Sequence, residues 1–130
     1  MSILKSGVAV VGISLALLLG ACTSKAIVNV RDAQVSAGKT LQPADVRKAI
    51  GAAGATLGWQ IVDLKPGLAQ GTLNLRNHTA VVEIPYTATS YSILYKSSVN
   101  LGEGGGEIHR NYNGWIQFLD NGIKAELTRL

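Results

Sequence analysis

Three stretches decide the fold: Gly71-Thr72-Leu73-Asn74-Leu75-Arg76, then His78-Thr79-Ala80-Val81-Val82-Glu83-Ile84-Pro85-Tyr86, then Tyr91-Ser92-Ile93-Leu94-Tyr95-Lys96-Ser97-Ser98-Val99-Asn100-Leu101. Each alternates apolar and polar side chains with period two, the spacing of a strand with one face buried and one wet. In the second, Ala80, Val82, Ile84 and Tyr86 share a face. In the third, Tyr91, Ile93, Tyr95, Val99 and Leu101 stand against Ser92, Lys96, Ser98 and Asn100. Asn77-His78 supplies a turn between the first two. Pro85 has no ladder donor, which places that end at an edge or a bulge.

Working outward, Gly58-Trp59-Gln60-Ile61-Val62-Asp63-Leu64 reads as a further strand, closed by the turn Lys65-Pro66-Gly67. Before it, Val46, Ala49, Ile50 and Ala53 recur at helical spacing, with Pro43 suited to the first turn and Asp45 to the positive end of the helix. The pattern predicts a helix over 43–53, stopped by Gly54. On the other side, beyond the glycine-rich 102–106, the spacing of Ile108, Tyr112, Trp115, Ile116, Leu119, Ile123 and Leu127 predicts a second helix, kinked or split at Asn121-Gly122. Trp115 sits mid-stripe and is expected to insert against Ile84, Ile93 and Tyr95, so that its truncation unfolds the domain. The fold class is therefore α+β, a four-stranded antiparallel meander with an N-terminal and a C-terminal helix on one face.

The chain has 130 residues and a formal net charge of +4, too diffuse a balance to point to nucleic acid. Its single cysteine, Cys22, excludes an internal disulfide and a thiolate cluster. Ahead of it lie a short basic segment ending near Lys5 and the apolar run 7–19, too short for a spanning helix of ~20 residues but right for a cleaved secretory signal. Leu19-Gly20-Ala21-Cys22 resembles the bacterial lipobox, in which small side chains admit the extended chain to a peptidase and the cysteine thiol accepts a diacylglycerol. The organisation expected is a signal peptide over 1–21, a lipidated tether over 22–40 with at most one short edge strand, and one domain over 41–130. Two or three acyl chains, each buried CH₂ contributing ~0.8 kcal/mol, suffice for stable anchoring. Thr23 stands where inner-membrane retention commonly uses Asp, which directs the expectation to the outer membrane, periplasmic side.

The run Tyr91-Ser92-Ile93, Tyr95, Ser98, Asn100-Leu101, then Ile108-His109, Tyr112-Asn113 and Trp115 resembles a family of small uncharacterised bacterial lipoproteins of the Gram-negative kind. That resemblance implies an envelope lipoprotein and carries over no catalytic residue.

The chemistry-bearing side chains are few. His78 and His109 are the only histidines, and with Asn111 and Asn113 they form the candidate polar site, read as hydrogen-bonding to strand ends. A two-histidine metal centre would need carboxylates at short, repeated spacing, which the sequence lacks. No metal or other cofactor is expected. Gly102-x-Gly104 is followed by Glu107 where a dinucleotide fingerprint needs glycine, and no Gly-x-Ser-x-Gly occurs. The function expected is a non-catalytic binding or structural module. It contacts membrane lipid through acylated Cys22 and an envelope protein or polymer through the wet sheet face or the glycine loop. The alternative is a ligand-binding or hydrolytic domain using His78 and His109.

Overall fold

The computed structural model describes residues 23–35 and 38–130; the expected signal segment, the expected lipobox residues Leu19, Gly20 and Ala21, and Cys22 lie outside the described residues. Strands β1 (Ser24–Ala26) and β2 (Val30–Gln34) come first, followed by helix α1 (Pro43–Leu57). Strands β3 (Trp59–Lys65), β4 (Leu68–Leu75), β5 (His78–Pro85) and β6 (Ser90–Val99) follow, then β7 (Glu107–His109) and helix α2 (Asn111–Leu127). The architecture is α+β. A five-stranded antiparallel sheet in the order β2-β6-β5-β4-β3 lies beside a two-stranded sheet of β1 and β7.

The meander β3 to β6 is the one its periodicity predicts, and the fifth strand corrects the expected four. Residues 24–34 are therefore not a tether. Ser24–Ala26 pairs with β7, and Val30–Gln34 lies along β6 with Val30 opposite Ile93 and Ala33 opposite Tyr91. A bulge between those two pairs puts Asp32 at φ +50° and breaks the period that would have announced the strand. The Asp32 amide donates to the Ser92 hydroxyl at 2.9 Å, which accounts for a serine in the core.

A second bulge corrects the phase of β6. Val82 pairs with Tyr95 but Val81 with Ser97, so Lys96 is the extra residue. Beyond it every side chain changes face, and Val99, expected inside with Tyr91, is 57% exposed.

Helix α1 starts with the Gln42 amide donating to Asp45 Oδ2 at 2.8 Å and ends at Gly58 with φ +86°. It passes through Gly54 rather than stopping there. A Cβ on Gly54 would lie 2.5 Å from Ile61 Cγ1, so the missing side chain is what lets the helix approach β3. Helix α2 likewise runs unbroken through Asn121-Gly122. Gly122 is the point where α2 crosses α1, its Cα side facing Ala53 and Leu57.

Ile108 belongs to β7 and not to α2, so the helix starts three residues later than expected. Its buried stripe is Tyr112, Ile116, Leu119, Ile123 and Leu127. Trp115 is only half-buried, a correction to its expected place in the core. At about 100° per residue it sits roughly 80° from the centre of that stripe. The Tyr112 ring occupies the inner position instead, edge-on to Tyr95 with centroids 5.6 Å apart.

Candidate functional site

The end of the domain nearest Thr23 gathers the two histidines that the sequence singles out. Strand β6 leaves the sheet at Asn100, which holds φ +58°, a conformation asparagine tolerates. The Asn100 side-chain amide donates to the Asn77 carbonyl at 2.9 Å, tying down the two-residue turn Arg76-Asn77. Its own carbonyl lies 2.7 Å from His78 Nδ1. A carbonyl can only accept, so that nitrogen carries the proton. One residue on, the Leu101 carbonyl accepts from the His109 amide at 2.9 Å, and the Thr23 carbonyl accepts from the Arg110 amide at 3.1 Å. Thr23, Ser24, Asn100, Leu101, Gly102 and His109 line a shallow depression of about 230 Å³ there.

His109 is in the opposite tautomer to His78. Its Nδ1 accepts the Asn111 amide at 3.2 Å, satisfying an otherwise free donor at the start of α2. A metal at His109 Nε2 would have to displace the proton that this arrangement leaves there. His78 thus meets a backbone carbonyl just past the end of β6, whereas the His109 ring, carried on β7 and not on a helix flank, meets the first amide of α2 instead of a strand end. Asn113 works elsewhere: its amide donates to the Ala26 carbonyl at 2.9 Å and its oxygen accepts from the Val28 amide at 3.0 Å, clamping the β1–β2 connection onto α2. Asn111 contributes its backbone, and its side chain is exposed. The structure therefore brings His78 and His109 to either side of Asn100-Leu101 and leaves the two asparagines outside that pair.

The glycine loop is a closed turn and not a loose connection. Gly104 and Glu107 exchange two backbone hydrogen bonds of 3.0 Å, with Gly105 and Gly106 both at positive φ, the turn chemistry of a tight hairpin.

Sequence reasoning missed a larger cleft at the far end, about 470 Å³, beside the Lys65-Pro66-Gly67 turn. Arg47 of α1 and Asp63 of β3 form an ion pair across it, with Lys65 and Tyr86 on its rim. Those two residues are 16 apart in the chain and carry no shared pattern, so nothing local signals the pair.

In the core, the Tyr91 hydroxyl donates to Asp120 Oδ1, and Asp120 Oδ2 accepts from Lys124 at 2.9 Å. Burial, and then the adjacent Asp120 carboxylate, push the Tyr91 hydroxyl well above the ordinary tyrosine pKa of 10.0. Burial does the same to Tyr112, with Tyr95 adding to it, and among the described residues the Tyr112 hydroxyl is buried without a hydrogen-bond partner. Both folded-state pKa values are raised, so their contribution is intact below pH 10 and is lost as pH rises above it. Each tyrosine is expected to lower stability by up to about 1.4 kcal/mol per pH unit above 10. Denaturant midpoints at pH 9, 10 and 11 check this; Tyr91→Phe should flatten the alkaline fall.

Among the described residues no three His, Cys, Asp or Glu side chains are grouped to hold a metal ion, and no helix is long and apolar enough to cross a membrane. No protein-family model, curated protein or solved structure matches the chain. Equimolar zinc is expected to leave thermal unfolding unchanged, as is a chelator. A zinc-induced rise in melting temperature that His109→Ala removes would show the opposite.

Proposed function

We propose that the chain is a bacterial lipoprotein, akin to the small lipoproteins it resembles, anchored in the outer membrane through acylated Cys22 and facing the periplasm. The lipobox Leu19-Gly20-Ala21-Cys22 is the sequence basis. The structural observation that supports it best is that the residue after Cys22 is held by the domain, with Thr23 bonded to Arg110 and Ser24 paired with His109. The anchor then connects directly to the domain.

The domain itself is, in this reading, a non-catalytic binding or structural module for an envelope protein or polymer. Ile61, Gly71, Val82 and Tyr95 form one cross-strand row. Gly54 of α1 packs on Ile61 and Tyr112 of α2 on Tyr95, so both helices cover that face. The opposite face carries Val62, Gln70, Glu83 and Lys96, the lysine bonded to Glu83 at 3.1 Å and to Gln70 at 3.2 Å. It is open, mixed in character, and suited to a partner.

Separation of inner and outer membranes by density tests the anchoring. The protein is expected in the outer-membrane fraction, retained through carbonate and high salt and released by detergent. Recovery in the soluble periplasmic fraction would contradict it.

A further inference from the structure

We infer that the end of the domain around Thr23 is a docking surface for the anionic phospholipid headgroups of the leaflet that holds Cys22. This rests on the lipoprotein reading above. The argument starts from chain length. Cys22 Cα is ~3.8 Å from Thr23 Cα by covalent geometry alone. Thr23 is fixed to Arg110, and Ser24 to His109, so no slack remains between acyl chains and folded domain. Whatever surrounds Thr23 is therefore held at the headgroup layer.

What surrounds it has the composition of a membrane-contacting surface. Lys25 stands three residues after Cys22, Arg110 bonds Thr23, and the Arg76-Asn77 turn is joined to the same place through Asn100. All three cations are exposed, and none is in an ion pair among the described residues. Beside them project Leu75, 44% exposed, and Val99, 57% exposed, apolar side chains without a role in the core. Cations flanked by exposed aliphatic residues match a surface that is anionic outside and apolar just beneath. Helix α2 also begins here at Asn111, adding the positive end of its dipole. The opposing charge is Glu103, with Glu107 at the other end of β7 from His109. Val99 stands at the near end of the open sheet face, in the row of Asn74 and Thr79, so docking in this pose would leave the far part of that face and the Arg47–Asp63 cleft away from the bilayer.

Spin-label depth measurement tests it on the full, membrane-processed protein. Nitroxide is attached at Val99→Cys, or at Leu64→Cys as the distant control, and the purified protein is reconstituted in vesicles of phosphatidylglycerol and phosphatidylcholine. The Val99 label is expected to be severalfold less accessible to a water-soluble nickel relaxant than the Leu64 label, and more accessible to oxygen. In phosphatidylcholine alone, or with Arg76→Glu and Arg110→Glu together, the Val99 label should move into water. One label per chain with position 99 as wet as position 64 overturns the docking while leaving the anchor in place. Two labels per chain mean that the Cys22 thiol is free, which overturns the lipoprotein reading and the docking with it. Shielding at position 99 that is unchanged in phosphatidylcholine alone overturns the anionic-headgroup assignment.

Discussion

Leu119→Ala is expected to cost about 3 kcal/mol of stability, whereas Phe118→Ala, one residue away, is expected to change it by less than about 0.5 kcal/mol. Leu119 is wholly buried at the middle of the α2 stripe, between the turns carrying Ile116 and Ile123, and truncation leaves a cavity that the surrounding core cannot close. Phe118 is 63% exposed despite its size. A domain of about a hundred residues has roughly 5–15 kcal/mol to lose, so the Leu119 variant should melt about 10–20 °C lower. Trp115→Ala should fall between the two, since the indole packs on the core from the stripe's flank. Thermal unfolding of the three variants orders them. A Leu119→Ala protein that melts with the parent would mean that α2 does not pack as described.

Cys22→Ser is expected to abolish acyl labelling and signal removal together. Hydroxyl oxygen is a far poorer nucleophile than thiolate for accepting diacylglycerol, and in the lipobox pathway acylation precedes cleavage. The unprocessed chain should then accumulate at higher apparent mass, held by its uncleaved apolar segment 7–19. Because Thr23 and Ser24 are already committed to Arg110 and His109, the folded part should be unaffected and its melting temperature unchanged. Metabolic labelling with an alkyne palmitate analogue and gel mobility read both effects. A Cys22→Ser protein that is still processed to mature size would show that an ordinary signal peptidase suffices.

What was legible in the sequence is what has a long, regular period. The strands β3 to β6 span seven to ten residues each, and two helices of 15 and 17 residues repeat their apolar positions over four turns or more. The illegible parts are short or out of phase. Strands β1 and β7 are three residues long, too few to show alternation, and they exist because they pair with each other across the whole domain. Strand β2 hides its period behind the bulge at Asp32, and β6 changes phase at Lys96. Glycines misled in a consistent way. Gly54 and Gly122 look like helix breakers locally, but each sits at a close approach, Gly54 to Ile61 and Gly122 to Ala53 and Leu57. Tertiary packing outweighs the helix-propensity penalty of about 1 kcal/mol per glycine.

The candidate site divides in the same way. His78 beside a turn was readable as a partner for strand-end backbone, because hairpin geometry brings β6 back to it. That His109 would face it from the other side of Asn100-Leu101 was not, since this depends on β7 being a strand. The bond between Thr23 and Arg110 joins residues near opposite ends of the chain and has no local signature. It is nevertheless the contact that removes the slack between Cys22 and the fold.

The central claim is that Cys22 is the acylated first residue of the mature protein. Mass spectrometry of the N-terminal peptide from the membrane-purified protein tests it most directly. The account predicts a peptide beginning at Cys22, heavier than its sequence by a diacylglyceryl group on sulfur and, where the N-terminus is also acylated, by one further fatty acyl chain. A mature N-terminal peptide with an unmodified Cys22 thiol, or one beginning at another residue, would contradict it.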